Sequence, residues 1–95
     1  MIRHVIMWKF KEDEKENMQK FLAGLQALDG VIPEIKRMEI GFDIMGTDMS
    51  MDLMLLTEFD TVETMKYYAQ HPEHLKVSAY VRKVIETRVV LDCEI

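Results

Sequence analysis

The sequence predicts one α+β domain with elements in the order βαββαβ, and three patterns predict it. Apolar and polar residues alternate at both ends of the chain, the apolar period lengthens to that of a helix in two internal stretches, and turn-forming residues fall between these segments. The 95 residues suffice for a single domain, residues 1–95, without repeats, linkers or low-complexity tracts.

From Ile2 to Phe10 the alternation places Ile2, His4, Ile6, Trp8 and Phe10 on one side and Arg3, Val5, Met7 and Lys9 on the other, which is a strand. From Asp13 to Leu28 the apolar positions Met18, Phe21, Leu22, Leu25 and Leu28 follow a helical stripe. Gly30 and Pro33 end that helix. Ile35 to Phe42 is a second strand, and Lys36, Arg37 and Glu39 suit a sheet edge. A polar loop from Asp43 to Ser50 leads to a third strand, Met51 to Phe59. Asp60, with Glu63 three residues on, is positioned to cap a helix from Thr61 to Gln70. Pro72 starts a further helical stretch through Leu75, Ser78, Val81 or Arg82, and Ile85. Thr87 to Ile95 alternates as a last strand, with Thr87, Val89, Leu91 and Cys93 on one face.

Right-handed crossovers after the first and third strands put all helices on one side of a four-stranded antiparallel sheet, with those two strands at its centre. This is a ferredoxin-like arrangement. Its second face has no helix to cover it, yet Val5 and Met7 on the first strand and Met54 and Leu56 on the third point there, flanked by Arg3, Lys9, Asp52 and Glu58. An apolar centre with a charged rim predicts a homodimer through this face. Four such side chains present a few hundred Å², and at about 25 cal/mol per Å² they contribute several kcal/mol gross per subunit.

Seventeen acidic against twelve basic residues give a formal charge of −5, with the basic residues scattered, so no nucleic-acid partner is expected. Apolar runs fall far short of the ~18–20 residues of a membrane span, and the start lacks the pattern of a signal peptide. The expected location is the cytoplasm. Cys93 is the single cysteine and reads as a passive strand residue. His71 and His74 lack an evident third ligand, so no metal is expected, and no cofactor-binding motif is present. Asp92 and Glu94 read most simply as solvated edge charges.

The residues able to carry chemistry are His4, Tyr68 and His74. His4 shares the helix-facing side of its strand with Ile6, Trp8 and Phe10. Pro72 pins the backbone between His71 and His74; His71 is placed to cap the helix that follows, while His74 is placed to face the cleft between helices and sheet. Tyr68 reaches the same cleft from the preceding helix. A histidine and a tyrosine around one apolar pocket can move a proton on and off a carbonyl compound.

Read together, Ile2-Arg3-His4-Val5-Ile6-Met7-Trp8-Lys9-Phe10-Lys11, Ile32-Pro33-Glu34-Ile35, Gly41, Asp52-Leu53, Glu58-Phe59-Asp60, Tyr68-x-x-His71-Pro72-x-His74 and Val89-Val90-Leu91-Asp92 resemble the stress-responsive dimeric α/β-barrel proteins, the Dabb family. The resemblance covers nearly the whole chain in order. It implies a ferredoxin-like fold and a homodimer whose two sheets form an α/β barrel. One plant branch, olivetolic acid cyclase, performs a cofactor-free intramolecular aldol condensation with a tyrosine and a histidine matching Tyr68 and His74, and has a strand histidine matching His4. It also has a third-strand histidine where this chain has Leu53. The expected function is binding of a small apolar or carbonyl ligand in the cleft, with cofactor-free acid/base chemistry of cyclase or lyase type. The alternatives are a non-catalytic stress-associated dimer and a haem-binding or monooxygenase-type dimeric barrel.

Overall fold

A computed structural model describes residues 1–95. The elements are β1 (Ile2–Phe10), a 3₁₀ segment (Glu12–Asn17), α1 (Met18–Gln26), β2 (Arg37–Phe42), β3 (Leu53–Phe59), α2 (Val62–Gln70), α3 (Pro72–Val84) and β4 (Ile85–Glu94). All strand pairs are antiparallel in the order β2-β3-β1-β4, so the two most apolar strands are central. No helix is long and apolar enough to cross a membrane.

Alternation along β1 places Ile6, Trp8 and Phe10 under the helices, where they are buried with Leu53, Leu55 and Phe59 of β3. From α1, Phe21 packs edge-on against Trp8, with ring centroids 4.8 Å apart. Burying this many aromatic side chains in so short a chain is the main driving force for its folding.

Several boundaries differ from the sequence-based expectation for local reasons. The first helix is regular only from Met18, because Glu12–Asn17 buries no residue that would hold an α-helical turn against the core. Ile35 belongs to a turn, donating its N–H to Ile32 O, so β2 begins at Arg37. Asp52 precedes β3 rather than joining it; its Oδ2 accepts the Phe10 N–H at 2.7 Å and seals the end of the sheet. The α2 cap is Thr61, not Asp60. Thr61 Oγ1 accepts from Thr64 N–H and Thr64 Oγ1 from Thr61 N–H, a reciprocal box shifted one residue along, while Asp60 approaches Lys36.

The inward stripe of α3 also differs. Val81 and Val84 are buried, with Val77 packed against the core, whereas Leu75 faces outward. Apolar residues occupy more than one side of this helix, so periodicity alone admits both stripes and packing selects one. His71 caps α3 as expected, its Nδ1 accepting the Glu73 N–H at 3.1 Å, with Pro72 at the first helical position.

The helix-free face carries Val5, Met7, Met54 and Leu56, paired across β1 and β3. The register adds Val89 and Leu91 of β4, directly opposite Met7 and Val5. Met7 is 38 % and Leu91 63 % exposed in the single chain.

Candidate functional site

A cavity of about 280 Å³ lies between the helix-facing side of the sheet and α2 and α3. That is near the lower end of ligand pockets, roughly 300–1,000 Å³. The cavity brings together all three residues singled out from the sequence: His4, Tyr68 and His74 line its wall. Its remaining lining is mainly apolar, including Ile6, Phe21, Leu55 and Val81. Leu53, where the plant cyclase has a histidine, is buried in the core and does not line the cavity; Leu55 does.

His74 is one turn into α3, held against the preceding helix. Its Nδ1 lies 3.0 Å from Ala69 O, and a carbonyl can only accept, so Nδ1 carries the proton and Nε2 keeps its lone pair. Burial lowers its pKa below the usual histidine value, with the charges of His4, Arg88 and Arg82 acting the same way; the Ala69 carbonyl opposes them. The ring is therefore neutral at pH 7, which is the form a general base requires. The Tyr68 ring lies 4.4 Å from it, centroid to centroid. Burial pushes the Tyr68 hydroxyl up to about 12, so it remains a protonated hydrogen-bond donor.

His4 lies on the opposite wall, and its Nδ1 is 2.5 Å from Asp92 Oδ1. Asp92 is an exposed residue of the edge strand, as the sequence suggests, but it also lines the cavity and orients a histidine. The register sets His4 opposite Asp92, Ile6 opposite Val90 and Trp8 opposite Arg88, so the even-numbered residues of β4 face the helices. Parity in the sequence groups Arg88, Val90 and Asp92 together, but it does not say which face meets the helices. The sequence reading therefore missed Asp92 and Arg88, as it missed Lys66 of α2, which also reaches the cavity.

Trp8 is 4 % exposed and lines the cavity, and its Nε1–H has no hydrogen-bond partner. An unmade buried hydrogen bond of this kind costs about 1–3 kcal/mol. No group of three or more His, Cys, Asp or Glu side chains is arranged to hold a metal ion.

The sheet and the one-sided cavity define a ferredoxin-like α+β domain with a mainly apolar cavity under its helices. The Stress responsive A/B Barrel Domain profile matches residues 2–95, and the chain belongs to this family, Dabb. It is 31 % identical over 93 residues to an Arabidopsis thaliana stress-response A/B barrel domain-containing protein, At5g22580, covering 95 % of this chain and 82 % of that one. A dimeric ferredoxin-like protein of unknown function from Bacteroides fragilis superposes with a TM-score of 0.87 at 26 % identity, covering 99 % of this chain and 95 % of the other. A hydroxynitrile lyase from Passiflora edulis superposes with a TM-score of 0.88 at 19 % identity, covering 99 % and 92 % respectively, which establishes a shared fold.

Proposed function

We propose that this chain forms a homodimer through its helix-free sheet face, and that each subunit binds a small carbonyl compound in the cavity and moves a proton on it without a cofactor. The observation that carries the reading is the one cavity that His4, Tyr68 and His74 all line, with His74 Nε2 unengaged. The proton leaves the carbon next to the carbonyl for His74 Nε2, and the C–H electron pair moves to the carbonyl oxygen as an enolate. The Tyr68 hydroxyl donates to that oxygen, His4 assists from the opposite wall, and returning the proton completes the cycle. Dimeric relatives and a lyase of the same fold support this reading.

The test uses a simple 1,3-diketone in deuterated buffer, with exchange of its α-protons followed by NMR. The protein accelerates exchange, and His74→Ala reduces the protein-dependent rate by roughly 10²-fold, the scale of a lost general base, with little change in melting temperature. The competing reading, a non-catalytic dimer, draws on the backbone hydrogen bond of His74 and the capping role of His71. It gains if His74→Ala leaves exchange unchanged while lowering stability.

A further inference from the structure

The cavity carries charge of the opposite sign to the protein around it. The chain is formally −5, yet two cations, Lys66 from α2 and Arg88 from β4, line this cavity against one carboxylate, Asp92. That carboxylate is already engaged, since its Oδ1 accepts from His4 Nδ1. Neither Lys66 nor Arg88 takes part in an ion pair, whereas Arg3, Lys36, Arg37 and Lys76 each approach an acidic side chain elsewhere on the surface. Both residues are solvent-exposed while also lining the cavity, so both stand where the cavity meets water. The field of Arg88 is also felt inside, where it contributes to holding His74 neutral.

We propose that the cavity selects a small organic acid: an apolar, preferably aromatic body lies against Trp8, Phe21 and Tyr68, with a carboxylate held at the mouth by Lys66 and Arg88. This deepens the preceding reading and rests on it, since it names the ligand class for the same cavity. The guanidinium offers a fork to the two carboxylate oxygens and the ammonium a point charge. The apolar wall supplies affinity through burial, and the cations supply selection against neutral molecules of the same shape. A carbonyl substrate of this class carries its carboxylate outward and its reacting carbon inward, toward His74.

The probes are 3-phenylpropanoate and its neutral isostere 3-phenylpropanamide, titrated by calorimetry and by the fluorescence of Trp8, the only tryptophan in the chain. The carboxylate is expected to bind about tenfold more tightly, the scale of one or two charge-assisted hydrogen bonds partly exposed to water. The double variant Lys66→Gln with Arg88→Gln, at two exposed positions that contribute nothing to the core, removes that preference and leaves amide binding unchanged. Equal binding of both probes by the natural protein overturns the acid selection and leaves the cavity reading intact. So does a carboxylate preference that survives in the double variant. If neither probe perturbs Trp8 at millimolar concentration, both the acid selection and the underlying pocket reading fall.

Discussion

His4 Nδ1 and Asp92 Oδ1 lie 2.5 Å apart, tying the second strand face of the cavity to a carboxylate 88 residues further along the chain. The pair is possible because β1 and β4 run antiparallel with His4 directly opposite Asp92. It fixes the His4 ring, and with Nδ1 donating to Asp92 the other ring nitrogen is left for the cavity.

Replacing Asp92 tests it as a positioning residue. Asp92→Leu removes the acceptor; Asp92→Asn keeps an oxygen that can still accept. The diketone exchange rate falls about tenfold in Asp92→Leu and recovers in part in Asp92→Asn, and ring ¹⁵N shifts show the His4 tautomers mixing only in the former. Because Asp92 is partly exposed, with a side chain 43 % accessible, the loss of stability is small, about 0.5–1 kcal/mol. Unchanged His4 ring signals in Asp92→Leu would remove the positioning role.

The pH dependence follows from His74. Its pKa in the folded chain lies below the ordinary histidine value of 6.5, so the unfolded chain takes up the proton first as pH falls. Stability is accordingly full above 6.5 and declines between 6.5 and the lowered value, with a slope under the ceiling of about 1.4 kcal/mol per pH unit because water reaches part of the ring. The groups acting on this ring are the Ala69 carbonyl, His4, Arg88 and Arg82. Urea midpoints between pH 5 and 8 should show this decline in the natural protein and lose it in His74→Gln. The exchange rate should keep its plateau to below 6.5 on the acid side, and Tyr68 should add no phenolate limb until about 12.

The dimer face offers a third test. Met7 and Leu91 lie on the helix-free side of the sheet and are exposed in the single chain. The double variant Met7→Glu with Leu91→Glu puts four carboxylates into the proposed two-fold interface. Losing burial of about 1.5–3 kcal/mol per apolar side chain raises the dissociation constant by at least 10³-fold. Sedimentation at micromolar concentration should then give a monomer with unchanged helical circular dichroism, and a dimer persisting in this variant would place the interface elsewhere.

The sequence by itself determined the elements and the sides of β1. Its period-2 alternation separates Ile6, Trp8 and Phe10 from Val5 and Met7 whatever the rest of the chain does, because successive strand side chains point to opposite faces. The junction at His71 and Pro72 was equally legible, since a proline at the first helical position and a side chain capping it act within a few residues. His4, Tyr68 and His74 could be listed from spacing and from the family resemblance, and each depends only on the phase of its own element.

Tertiary structure alone decided what those residues meet. Which parity of β4 turns toward the helices, and therefore that Asp92 reaches His4 and Arg88 reaches the cavity, depends on a strand register set by contacts across the sheet. Which stripe of α3 turns inward depends on the space left beside β1 and α1, so Val77 and Val81 pack there and Leu75 does not. Local periodicity is a one-dimensional signal, whereas register and packing are fixed by the free energy of the assembled core, so the cavity and its charge emerge only when the strands have paired.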